Sequence, residues 1–122
     1  MGILKSKYKN ILRKLDLSVD QLEELKNKLQ PQNICVGPFI KGEKMCPNTT
    51  ALSLKLNKRV MDKSTVKRLF RSHGITNVEL LVFYLLFDVP AMVSDRLFTF
   101  LLKDLQNATI ELIHSGFTAD GI

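Results

Sequence analysis

At 122 residues, with 45% apolar and 25% charged side chains, the chain has the size and composition of one folded domain, 1–122, and excludes a disordered or fibrous class. Its longest apolar run, Leu80–Phe87, falls far short of the roughly 20 residues a membrane span needs. The formal charge of +6 is split: residues 1–74 carry sixteen Lys and Arg against six Asp and Glu, and residues 75–122 carry two against six. Such a division points to an anionic partner for the basic half, or to attraction between the halves. No apolar signal region follows the basic N-terminus, so a cytoplasmic location with both cysteines, Cys35 and Cys46, as free thiols is expected.

Over residues 3–15, Leu4, Tyr8, Ile11, Leu12 and Leu15 recur at helical spacing among Lys5, Lys7, Lys9, Arg13 and Lys14. This pattern predicts a basic amphipathic helix within an N-terminal segment, 1–17. Ser18 and Gln21 stand three apart as a capping box, with Leu17 and Leu22 at the staple positions. They predict a helix over 19–29, closed by Pro31. Residues 30–47 hold three of the four prolines and read as one irregular loop. A short hairpin there would pair Phe39-Ile40 with Lys44-Met45. Pro47 suits the first position of a helix over 47–57.

Ser64 is expected to cap a helix over 65–73 that stops at Gly74. Val66, Leu69, Phe70 and His73 form its apolar side, and Lys67, Arg68 and Arg71 the other. Thr76 and Glu79 make a second capping box, with Ile75 and Leu80 as its staple, for a helix over 77–87. Because Leu80–Phe87 is apolar all round, this helix is expected at the centre of the core, packed by 65–73 and 95–114. A buried strand competes for the same run; the capping box and the leucines favour helix. Asp88-Val89-Pro90 should break the helix. Ser94 then caps a long helix, 95–114, ended by Gly116, with 117–122 a frayed tail. The predicted fold is an all-α bundle of five or six helices with one irregular loop at 30–47.

Between Lys55 and Arg71 lie seven cations, and only Asp62 opposes them. Clusters of this kind neutralise phosphates and release counterions. The segment Asp62–Ile75 resembles the recognition helix of helix-turn-helix DNA-binding proteins. Ser64 stands where that family has a capping residue, Val66 where it has a β-branched anchor, and Leu69 where it has an inward leucine. The resemblance implies that Ser64, Thr65, Lys67, Arg68 and Arg71 face DNA, and that Thr49–Leu56 is the supporting helix with Ala51 buried. It covers about fourteen residues. Asn57–Lys63 is longer than the three or four residues of the motif's turn, and the usual turn glycine is missing.

Other motifs weigh less. Gly2 followed by Ser6 fits a two-position acylation pattern, with the neighbouring lysines as a second membrane signal. Cys35 and Cys46 are eleven apart and lack the short paired spacing of structural zinc, so no metal is expected; a Cys46 thiol capping a helix is. The segment after Asp88 resembles an EF-hand only in outline, because Val89, Pro90, Ala91 and Met92 supply no oxygen ligands. His73 and His114 both read as imidazoles complementing helix C-termini. No catalytic set and no cofactor are expected.

The leading expectation is therefore a non-enzymatic binding protein, whose Lys58, Arg59, Lys63, Lys67, Arg68 and Arg71 contact the phosphates of DNA or RNA. The first alternative is a protein-interaction or regulatory module that dimerises, or grips a partner helix, through the apolar 78–113 hairpin. The second is attachment to a membrane surface through the basic N-terminal helix.

Overall fold

The computed structural model describes residues 2–60 and 62–120, with side chains through residue 115. Among the described residues it is an all-α domain of six helices with a two-stranded sheet. In chain order these are α1 (Gly2–Leu15), α2 (Val19–Lys28), β1 (Ile40–Lys41), β2 (Lys44–Met45), α3 (Pro47–Leu56) and α4 (Lys63–Ser72). Then come α5 (Asn77–Phe83), a π-helical turn (Tyr84–Asp88), α6 (Val89–Val93) and α7 (Asp95–Asp120). The segments from Asn77 to Val93 run on as one helix.

Local chemistry sets most boundaries. Asp16 closes α1 in the left-handed region at φ 54°, its N–H reaching back to the carbonyl of Leu12. Ser18 and Gln21 make the expected reciprocal capping box of α2, and Thr76 and Glu79 that of α5. Cys46 caps α3 through its sulfur, which accepts from the Thr49 N–H at 3.4 Å, and Pro47 sits in the first turn. Gly42, at φ 62°, occupies the first central position of the two-residue hairpin turn, where a positive φ is required. The hairpin pairs Ile40 with Met45 and Lys41 with Lys44, one residue along from the expected Phe39-Ile40 partnership.

The core is built by α1, α2 and α7, with α3 and α5 closing it. Leu4, Tyr8, Ile11, Leu12 and Leu15 are all buried, so the whole apolar face of α1 is spent inside the domain. An aromatic ladder crosses the interior. Tyr8 meets Phe83 at 5.5 Å between ring centres, Phe83 meets Phe87 at 5.5 Å, and Phe87 meets Phe98 at 6.2 Å. The Tyr8 hydroxyl donates to the Pro47 carbonyl at 3.1 Å, satisfying the one polar atom of that buried ring.

Three expectations change along 77–116. The helix does not break at Asp88-Val89-Pro90. Proline lacks an N–H and its ring crowds the carbonyl four residues back. The turn at Tyr84–Asp88 widens instead, with the Val89 N–H reaching the Tyr84 carbonyl, and Pro90 enters α6 without interrupting the helix. Nor is this helix central. Leu80, Phe83, Phe87 and Ala91 face the core, but Leu81 and Leu85 on the opposite side are more than half exposed. Its principal neighbours are α1 and α7 rather than the 65–73 helix. Finally, α7 continues through Gly116 to Asp120, so His114 lies within the helix rather than at its end. The segment expected to fray, 117–122, has no described side chains, and its last two residues lie outside the described residues.

Asp88 is buried, and its carboxylate accepts from the Gly37 N–H at 2.8 Å. That bond fastens the 30–39 loop to the π-helical turn. Burial lifts the Asp88 carboxyl from its ordinary value to about 6, against the lowering effect of the Gly37 hydrogen bond. Among the described residues, no single helix is long and apolar enough to cross a membrane.

Candidate nucleic-acid interface

The basic surface is carried by α4 and the turn before it. The turn leaves α3 through Asn57, whose φ of 55° supplies the left-handed residue that the sequence, lacking a glycine, did not advertise. The Lys58 N–H returns to the Ser53 carbonyl, and Val60 is buried as the anchor of the turn. Arg59 is held in place by donating to the Gly42 carbonyl at 2.8 Å, which ties the turn to the hairpin.

Asp62, not Ser64, caps α4. Its carboxylate accepts from the Thr65 N–H at 3.1 Å and from the hydroxyls of Ser64 at 2.6 Å and Thr65 at 2.9 Å. These bonds hold the Asp62 carboxyl below its ordinary range, the Ser64 hydroxyl contributing most. Asp outranks Ser here because it satisfies the helix N–H as an anion at the positive end of the dipole. The helix buries only Val66 and Phe70, with Leu69 partly covered; Phe70 packs on Phe39 at 6.1 Å. His73 lies half-buried at the C-cap, its Nδ1 2.9 Å from the Leu69 carbonyl, and Gly74 follows at φ 80°.

The sequence-predicted cations emerge together. Lys58, Arg59, Lys63, Lys67, Arg68 and Arg71 are all exposed. Among the described residues, no carboxylate lies within salt-bridge distance of any of the six. Lys63, Ser64 and Lys67 also border a shallow depression of about 420 Å³, which Gly37, Pro38 and Phe39 line as well. Lys55, at the N-terminal end of the basic stretch, donates to the Asp16 carbonyl and so ties α3 to the end of α1.

The N-terminal cations are arranged differently. Lys5 and Lys9 both pair with Glu111 on α7, and Lys14 pairs with Glu79 at 2.5 Å while donating to the Gly74 carbonyl. Lys5 and Lys9 pull the Glu111 carboxyl down to about 2. The Glu79 carboxyl also lies below its ordinary value: its partial burial opposes this, and the hydrogen bonds from Lys14 and Thr76 outweigh it. The attraction between the two halves is thus realised by Lys5, Lys9 and Lys14 of α1, while Lys7 and Arg13 of that helix stay exposed, as do the cations of α4 and its turn.

The helix-turn-helix resemblance holds on the inner side of α4 and weakens elsewhere. Val66 is buried and Leu69 is turned inward, while Ala51 is buried on α3. The connection, 57–62, is still longer than the motif's turn. Ser64 and Thr65, two of the implied DNA-facing positions, already have their hydroxyls committed to Asp62, whereas Lys67, Arg68 and Arg71 point outward. Both cysteines are buried free thiols. Burial raises each of them, Cys46 to about 12. Among the described residues, no group of three or more His, Cys, Asp or Glu side chains is placed to hold a metal ion. Comparison with protein-family models, with curated proteins and with solved structures gives no match.

Proposed function

We propose that this chain is a nucleic-acid-binding protein that grips phosphates through α4 and the turn before it. One observation carries the reading: Lys5, Lys9 and Lys14 of α1 are paired with Glu111 and Glu79, whereas Lys58, Lys63, Lys67, Arg68 and Arg71 cluster on α4 and its turn, facing outward without acidic partners among the described residues. The charged residues on the outer face of α4, Lys63, Lys67, Arg68 and Arg71, are all cations. The flat spread of charge and the depression beside Lys63 and Lys67 suit a phosphate backbone better than an enclosed small molecule. Base reading is a lesser part of the proposal, because Ser64 and Thr65 serve the cap.

Fluorescence anisotropy with labelled duplex and single-stranded oligonucleotides tests it. With about five phosphate contacts, affinity for duplex falls with a log–log salt slope near −4.5, a loss of about 10²–10³-fold between ~50 and ~200 mM salt. The double substitution Lys67→Glu, Arg71→Glu abolishes binding at ~50 mM salt and leaves the circular dichroism of the fold unchanged. Absence of wild-type binding to either form at ~50 mM salt overturns the proposal.

A further inference from the structure

A second surface is built on the opposite principle. On the outer side of the Asn77–Val93 helix, Val78, Leu81, Leu85, Val89 and Met92 follow one another at steps of three, four, four and three. They are 68%, 56%, 55%, 40% and 52% exposed. Val93, at 75%, and Leu97 and Phe100 on the first turns of α7 extend the stripe around the Ser94 corner. The inner face of the same helix is fully used by the core, so this segment has two apolar faces and only one partner within the chain. We propose that the second partner is another copy of this chain, and that the protein is a two-fold symmetric dimer joined through this stripe.

Two arguments select that occupant. The first is exposure. Eight large apolar side chains, each 40–75% exposed, lie on two consecutive helices, far from the singly scattered hydrophobics of an ordinary monomer surface and of the kind that marks a protein interface. The second is charge. The two carboxylates of the Asn77–Val93 helix are turned away, Glu79 to Lys14 and Asp88 into the interior, which leaves the stripe neutral. At its edge, Asp95 and Arg96 are both exposed, one of each sign on adjacent residues. A two-fold axis brings Arg96 of one copy toward Asp95 of the other, twice, so the edge is self-complementary. The helix axis is bent 112° from that of α4, and the stripe variants leave every cation of α4 in place, so the dimer and phosphate binding are tested separately.

Sedimentation equilibrium of the full chain from ~1 to ~200 µM tests the proposal. The expected result is a mass rising from 13.9 kDa toward twice that value. Leu81→Glu with Leu85→Glu should hold the chain at the monomer mass, with unchanged circular dichroism. If that variant fails to fold, Val78→Lys with Val93→Lys, at the most exposed ends of the stripe, should give the same result. Arg96→Asp should weaken the dimer several-fold, and adding Asp95→Arg should restore it. A wild-type chain that stays monomeric at ~200 µM overturns the proposal. So does a folded stripe variant that still dimerises, or a monomer that co-sediments with anionic or neutral vesicles through the stripe. A dimer indifferent to both edge substitutions overturns the two-fold arrangement.

Discussion

At Asp88 the chain buries a carboxylate against one backbone N–H, that of Gly37, in exchange for fixing a loop of awkward composition onto the helix. The folded-state pKa is raised, so the native protein holds this proton more tightly than the unfolded chain. The stability that depends on the group is therefore greatest below the unfolded value near 4 and declines as pH rises through about 6. Asp88→Asn keeps an acceptor for Gly37 and removes the charge. It should stabilise the protein by about 2 kcal/mol at pH 7 and by little at pH 4. Urea unfolding at the two pH values reads this directly, and an equal gain at both would mean that buried charge is not the cause. In the sequence, Asp88 reads only as part of a breaker, because its partner is 51 residues away.

Element boundaries followed local chemistry wherever the capping groups were close in sequence. Both capping boxes, the Pro47 start and the Gly74 stop belong to that class. The start of α4 was displaced because two polar residues compete for the cap, and the anionic Asp62 recruits Ser64 rather than yielding to it. Asp62→Ala should lower the thermal midpoint, because the helix loses its capping acceptor. It also removes the one acid of the sequence stretch 55–71 and frees the Ser64 and Thr65 hydroxyls. Oligonucleotide affinity should then rise about two- to fivefold at low salt while the thermal midpoint falls, and a parallel loss of both would count against phosphate binding by this helix. The π-helical turn shows the opposite case. Proline predicts a break when only backbone rules are applied. Here Leu80, Phe83, Phe87 and Ala91 bury on both sides of it, and one widened turn costs less than exposing them.

For the molecule as a whole, part of the divided charge is joined across the fold. Ion pairs from Lys5 and Lys9 to Glu111, and from Lys14 to Glu79, join α1 to α7 and α5 across the halves. The Glu111 carboxyl is lowered to about 2, so its contribution to stability is present above its ordinary value of 4.5 and is lost as pH falls toward 2. Glu111→Gln should lower the thermal midpoint at pH 7, with the difference from wild type shrinking toward pH 2; a difference independent of pH would assign the loss to packing instead. The sequence by itself determined the helical class, most of the helix termini, the buried face of α1 and the outward cations of α4, because each rests on contacts within a few residues or on simple periodicity. Tertiary structure decided which lysines of α1 are paired, how the chain passes Pro90, and that the Asn77–Val93 helix lies at the surface with one apolar face in the core and one in solvent. Periodicity identifies apolar faces, but whether a face is covered depends on elements distant in sequence, and for the outer stripe the chain provides no such element among the described residues.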